Sequence, residues 1–139
     1  AIRTMGLDSS MNIVTVNPPY MKSGLRNQTD RKLISRHEVL CTLQDVCEAA
    51  AFALKSNGKL FMVHRPHRLA DIVCALRAAH MEPKRMRLVH PYLESEPNMV
   101  LIEAVKGGKS ELRIEKPLIV YREKNIYSDE IMQIYGLNP

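Results

Sequence analysis

This chain of 139 residues has six glycines (Gly6, Gly24, Gly58, Gly107, Gly108 and Gly136), and no two of them form a Gly-x-Gly pair. That excludes a Gly-rich turn of the kind that brings backbone close to a nucleotide cofactor. Cysteine is equally sparse. Cys41, Cys47 and Cys74 are an odd number without Cys-x-x-Cys spacing, which argues against a disulfide framework and against a zinc site. Each falls on a periodic apolar position, so buried, reduced thiols are expected. The five histidines (His37, His64, His67, His80 and His90) show no two-on-one-face ligand spacing, and no metal site is expected. No apolar run approaches the roughly 20 residues of a membrane span. The N-terminus lacks a charged-then-apolar signal pattern, and a cytoplasmic location is the expectation. The chain has no internal repeat and no low-complexity tract.

What the chain does contain is ordinary for one globular domain: 45% hydrophobic and 25% charged residues. A formal net charge of +5 admits a polyanionic partner without requiring one. Hydrophobic periodicity divides the chain into alternating elements. Met11 to Val16 is an apolar run stopped by two prolines and is expected to be a buried strand. Ser35 to Asn57 is the clearest helix. Ser35 and Glu38 have capping-box spacing, and Val39, Leu43, Val46, Cys47, Ala50 and Leu54 form an apolar stripe before Asn57-Gly58.

Residues 59–64 form a continuous apolar run, suited to a strand covered on both faces. A second amphipathic helix follows through Leu69, Ile72, Val73, Leu76 and Ala79, closed by Met81-Glu82-Pro83. Residues 84–91 and 99–105 are two further strands. The polar loop between them is too short for a helical crossover, so they run antiparallel. Short extended pieces surround Pro117, and Ser128 caps a last helix ending at Gly136. Strand–helix–strand units imply parallel strands joined by right-handed crossovers.

The chemistry concentrates where strands end. The first strand runs into Asn17-Pro18-Pro19-Tyr20. In open α/β sheets, ligands lie at the carboxyl ends of strands. An Asn there offers a donor and an acceptor, and a Tyr offers a ring face. The polar, basic stretch that follows carries Lys22 and Arg26. It is either a solvated loop or a segment that folds over nucleic acid. Arg36 and His37 are either first-turn surface residues or contacts to phosphate or substrate. Arg65 and Arg68 flank the end of the second strand, where phosphate binding and plain solvent exposure are both open. Lys84, Arg85 and Arg87 read as solvated charge, and Glu103 inside an apolar strand calls for a basic partner.

Asn-Pro-Pro-Tyr after a hydrophobic strand resembles motif IV of the S-adenosylmethionine-dependent amino-methyltransferases. Ser35-Arg36-His37-Glu38, Arg85 to Pro91 and Pro97 to Gly108 extend the likeness over most of residues 11–127. Together they resemble the bacterial branch that methylates N6 of an adenosine in the anticodon loop of a valine tRNA. A glutamine N5-methyltransferase and a non-catalytic RNA-binding or dimerisation module are the alternatives.

The resemblance implies an α/β fold: the second half of a Rossmann-like class I methyltransferase sheet. Its parallel strands finish in a terminal antiparallel hairpin, whose last strand is inserted between the two before it. Asn17 and the Pro18 carbonyl become acceptors for the two N–H groups of the target amine, Pro19 stiffens the turn, and Tyr20 stacks on the base. Asn17 also borders the cofactor. Lys22, Arg26, Arg36, His37, Arg65 and Arg68 become substrate contacts, and tRNA the partner. Where the family carries an acid second in the first strand, this chain has Asn12.

The Gly-rich half that would hold S-adenosyl-L-methionine has no counterpart in the sequence. Residues 1–10 are accordingly expected to be a linker or remnant, 11–127 the C-terminal half of a catalytic domain, and 128–139 a short helix and tail. Such a piece is expected to be inactive alone and to pair with a second copy through the exposed edge of its first strand.

Overall fold

The computed structural model describes residues 10–17 and 43–136. Its centre is a mixed sheet. β1 (Met11–Val16) lies parallel to β2 (Leu54–His64). β3 (Met81–His90) and β4 (Met99–Lys106) run antiparallel to each other, and β4 is also antiparallel to β2. The order is β1-β2-β4-β3, continued by the short β5 (Arg113–Ile114), with β6 (Leu118–Ile119) also pairing β3. The last long strand therefore inserts between the two before it, as the resemblance implied. Because β4 alone is reversed, β1, β2 and β3 point the same way and end at one edge of the sheet.

Two helices cover one face. α1 occupies described residues 43–53, and α2 is Leu69–Ala78, entered through the 3-10 turn Pro66–Arg68. Leu43, Cys47 and Ala50 of α1 meet Ile72, Ala75 and Leu76 of α2 over Leu60, Met62, Val100, Ile102 and Ala104 of the sheet. Leu43, Cys47, Ala50, Ile72 and Leu76 belong to the stripes expected from the sequence; Ala75 joins them, Val73 is only half-buried and Leu54 lies in β2. A fully buried Leu such as Leu60 or Leu76 contributes about 1.5–3 kcal/mol relative to exposure. Cys47 is completely buried, and burial with the nearby Glu48 charge pushes its thiol up to about 11. Cys74, in contrast, is exposed. The helical period turns it away from the face that Ile72, Ala75 and Leu76 share, so the expectation of burial fails for it. Cys41 lies outside the described residues.

A smaller core forms around Val89, Leu118 and Ile131, with Met99, Leu101 and Val120 beside it. It seats α3 (Asp129–Tyr135) and, with it, the two-stranded ribbon of β7 (Tyr121–Glu123) and β8 (Ile126–Tyr127). The Ser128 hydroxyl caps α3 by accepting from the Ile131 N–H and itself donates to the Ile119 carbonyl. Gly136 closes the helix at φ 69°, as anticipated.

Two boundaries differ from expectation. α1 stops at residue 53, short of Asn57, where Leu54 passes into β2. Ser10 N–H donates to Ala53 O at 3.1 Å, and Lys106 Nζ donates to Leu54 O at 2.6 Å. Leu54 instead stands opposite Met11, and Asn57 turns the chain at φ 67° within the irregular start of β2. Met81-Glu82-Pro83 does not close α2 but already belongs to β3. The reversal is made earlier by His80, at φ 61°. A register shift between Pro83 and Arg85 accommodates the proline in an otherwise paired strand. The capping box at Ser35 and Glu38 lies outside the described residues.

Gly58 is the tightest point. A Cβ there would stand 2.8 Å from Leu54 Cδ2 and 2.9 Å from the Lys55 carbonyl oxygen. Backbone cannot yield as a side-chain tip does. Gly58→Ala is therefore expected to destabilise the fold by about 1–3 kcal/mol in chemical denaturation, and an unchanged midpoint would contradict the tight approach.

Candidate functional site

The common end of β1, β2 and β3 brings together residues far apart in sequence. Asn17 follows β1, His64 ends β2 with Arg65 after it, and Pro91 follows β3. The turn from β3 to β4 closes over this edge and is held by its own polar groups. Tyr92 N–H donates to Ser95 Oγ at 2.9 Å, and Ser95 Oγ donates to Tyr92 O at 2.8 Å. His90 Nδ1 lies 2.7 Å from Ser95 O. Arg65 Nη1 reaches across to Asn98 O at 3.0 Å. Arg65, Pro66, His67, Glu96, Pro97 and Asn98 line an open cleft of about 560 Å³ between the two turns.

Among the predicted site residues, Asn17, Arg65 and Arg68 share this edge. Arg68 is tied to Asp71 at 3.4 Å in the first turn of α2. The ion pair places a guanidinium beside the edge, partly buried. Pro18, Pro19, Tyr20, Lys22, Arg26, Arg36 and His37 lie outside the described residues.

His64 is the residue that sequence reasoning passed over. Only 7% exposed, it accepts the Arg65 N–H through Nδ1 at 2.8 Å. Burial lowers its pKa below the usual histidine value, and the charges of His67, Arg68 and Arg65 lower it further. The imidazole is neutral at neutral pH. The available signal was its place as the last residue of an apolar run followed by three basic side chains.

The sheet face away from α1 and α2 carries a second feature. Thr15 opposes Phe61, Phe61 opposes Glu103, and Glu103 opposes Arg85; Val63, Leu101 and Arg87 form the next row. These residues line an open groove of about 430 Å³ that reaches the carboxyl edge at Asn17. The expectation of cover on both faces of β2 therefore fails for the described residues, which leave Phe61 and Val63 half-buried.

The groove is not simply solvated charge. Glu103 Oε2 accepts from Arg85 Nε at 2.8 Å, and Lys59 Nζ stands 3.4 Å from its other oxygen. Burial alone would raise the Glu103 pKa, but Arg85 and then Lys59 overcome it and hold the carboxyl below its usual value. Arg85 also bonds Glu115, and Arg87 bonds Glu130. The reading of solvated charge holds for Arg85, which stays exposed although paired, and is corrected for Arg87, which is partly buried; antiparallel pairing with β4 and the return of the C-terminal segment supply their carboxylates. The basic partner expected for Glu103 is present.

The described residues do not fit the nucleotide end of a bound S-adenosyl-L-methionine. Gly58, Gly107 and Gly108 all sit at the opposite edge, and Gly136 follows α3. No glycine stands at the carboxyl edge among the described residues. The edge offers amide, guanidinium and imidazole groups suited to a polar substrate.

No protein-family model matches the chain. It is 23% identical over 125 residues to the tRNA1(Val) (adenine(37)-N6)-methyltransferase of Porphyromonas gingivalis, covering 88% of this chain and 49% of that protein. Its structure is similar to that of a predicted O-methyltransferase from Agrobacterium tumefaciens, with a TM-score of 0.73 and 23% identity over 96% of this chain and 55% of the other. It is also similar to a putative DNA modification methylase from Thermus thermophilus complexed with S-adenosyl-L-methionine. There the TM-score is 0.52 and the identity 19%, over 75% of this chain and 49% of the other. The chain thus has the α/β fold of the class I methyltransferases and spans about half the length of the relatives it matches.

His64 sets an expected pH dependence. Its folded-state pKa lies below its unfolded value of about 6.5, so the unfolded state binds the proton more readily. Stability is complete above that value and falls as pH drops below it. His64→Asn keeps an acceptor for Arg65 N–H but does not titrate. Denaturation between about pH 7.5 and about pH 5.5 should therefore show a smaller loss in the variant than in the wild type. Equal losses would mean that His64 is not the titrating group.

Proposed function

We propose that this chain is the substrate-side part of a methyltransferase that uses S-adenosyl-L-methionine to methylate the N6 amine of an adenosine in tRNA. One observation carries the reading: Asn17 stands where β1 ends, on the edge shared with Arg65 and Arg68, in a sheet with the strand order of that fold. The relative in P. gingivalis, whose name specifies adenine N6 in a tRNA, supports the choice of amine and of RNA. The net charge of +5 suits a polyanionic substrate.

The chemical task follows from the substrate. The lone pair of an exocyclic adenine amine is delocalised into the ring. Acceptors that take its two N–H groups fix its direction and favour a more pyramidal nitrogen. Asn17 Oδ1 is one acceptor in this reading, and the Pro18 carbonyl, fixed by the following proline, is the other. Both act by orientation and electrostatic preorganisation. Tyr20 stacks on the base once it has left its own stack. Arg65 and Arg68 hold phosphate near the edge, with Lys22, Arg26, Arg36 and His37 as further contacts. Asn17 borders the methyl donor, but the sequence has no Gly-rich turn for its nucleotide end, so the 139-residue chain alone is inactive in this reading.

Self-association belongs to the same proposal. β1 pairs only with β2 among the described residues, and Ile13 on it is 58% exposed. Such an edge recruits another strand. Sedimentation of the 139-residue chain is expected to show dimers at high concentration; a monomer throughout would remove this part of the proposal.

The decisive assay is methyl transfer to unmodified tRNA by the protein at the length its gene encodes. N6-methyladenosine is the expected product by mass spectrometry of the digested RNA. Asn17→Ala should lower the turnover rate by about 10²–10³-fold with little change in tRNA affinity. Methylation of a protein glutamine instead, or no RNA product, would sink the reading. Calorimetric titration of S-adenosylhomocysteine into the 139-residue chain should give no binding; clear equimolar binding would show that the chain carries its own cofactor site.

A further inference from the structure

Four of the five tyrosines form one continuous ladder. Tyr92 and Tyr121 have ring centroids 5.5 Å apart, Tyr121 and Tyr127 stack at 5.3 Å with 12° between planes, and Tyr127 and Tyr135 stand 6.3 Å apart. They come from four separate places: the turn after β3, the two strands of the β7–β8 ribbon, and the last turn of α3. Tyr121 and Tyr127 face each other across the ribbon. Tyr121 N–H donates to Pro91 O at 2.8 Å, which anchors the ladder to the carboxyl edge.

The ladder is not covered. Tyr92 is 39% exposed and Tyr135 67% exposed, so both ends present ring surface to solvent. Leu93 and Ile134 beside them are also exposed. Burial in a core does not account for rings left open at both ends of a stack.

We infer that this ladder is a stacking platform for unpaired bases of an RNA substrate, beside the reaction site at the same edge. The inference rests on the reading above and extends it by naming where the flanking nucleotides lie. Position is the first argument. β3 ends three strand spacings from β1, about 14 Å across the sheet. About four nucleotides at a helical rise of about 3.4 Å bridge that distance.

Chemistry is the second argument. Every base has a π-face, and the exposed end rings Tyr92 and Tyr135 can each take a base without regard to sequence, while Tyr121 and Tyr127 stack on each other between them. Charge is the third. Glu130 is already held by Arg87. Glu123 and Asp129 are offset by exposed Arg122 and Lys124, whereas exposed Glu94 and Glu96 leave the Tyr92 end acidic. The ladder therefore acts through its rings, and the +5 charge of the whole chain supplies the long-range attraction.

The test separates bases from phosphates. A fluorescein-labelled heptamer of adenylate and an abasic ribose-phosphate heptamer of equal length are titrated by anisotropy into the gene-length protein at one salt concentration. The adenylate should bind more tightly. Tyr135→Leu and Tyr92→Leu should each weaken it about 10-fold, leave the abasic strand unaffected and leave the salt slope unchanged, since no charge is altered. Tyr135→Phe keeps the ring and should bind as the wild type. Tyr135 is largely exposed at the end of α3, so its variants keep the fold, which unfolding midpoints would verify.

Equal affinity for the two heptamers, or an unchanged affinity in Tyr135→Leu, overturns the inference. Binding of a proline-rich peptide to the ladder with no adenylate preference overturns it too. Methyl transfer is scored in parallel. Adenylate stacking without RNA methylation fails the catalytic reading alone, and methylation with undiminished variant binding fails the ladder alone.

Discussion

The reversed strand β4 is the constraint on which the rest depends. It pairs on both sides, with β2 through Lys59↔Val105 to His64↔Val100 and with β3 through Met81↔Lys106 to Val89↔Met99. Its alternate residues Val100, Ile102 and Ala104 are buried against the helices. Because β4 runs back between two strands that run forward, β2 and β3 end together, and the turns after them meet. Without that insertion, Arg65 would not reach Asn98 O, nor would the Tyr92 turn close over the edge that Asn17 shares.

The two faces of the sheet differ in how they are held. One is a conventional apolar core, where α1 and α2 lay their stripes over aliphatic side chains. The other combines half-buried Phe61, Val63 and Leu101 with an ionic row. Glu103 is costly to bury alone and is held by Arg85 and Lys59. The C-terminal segment then supplies Glu115 and Glu130 to Arg85 and Arg87. The same ion pairs that neutralise this face also help fix the segment that carries the tyrosine ladder. Packing, electrostatics and the proposed substrate surface are thus coupled through β3.

At the carboxyl edge the polar groups are positioned by backbone. Pro66 starts the 3-10 turn that leads into α2, and Arg68 precedes that helix with Asp71 as its partner. His64 stays neutral because it is buried among cations, which leaves the edge cationic through its arginines. A protonated imidazole would add a buried positive charge beside Arg65 and Arg68. The acid-side loss of stability follows from the same arrangement that makes the edge attractive to phosphate.

By itself, the sequence determined the element types, the buried stripes of α1 and α2, the Ser128 and Gly136 ends of α3, and the strand-end position of Asn17. These are local matters: residue spacing sets which face is apolar, and a side chain or a left-handed glycine ends a helix within one turn. Tertiary structure decided what depends on distant partners. The helix ends at Ala53 because Leu54 pairs with Met11 of β1, and Ser10 and Lys106 bond the Ala53 and Leu54 carbonyls. Arg85 and Arg87 are paired because β4 and the returning segment bring acids to them. Tyr92, Tyr121, Tyr127 and Tyr135 have no common period in sequence, and only the packing of the ribbon and α3 against the end of β3 sets them in one row.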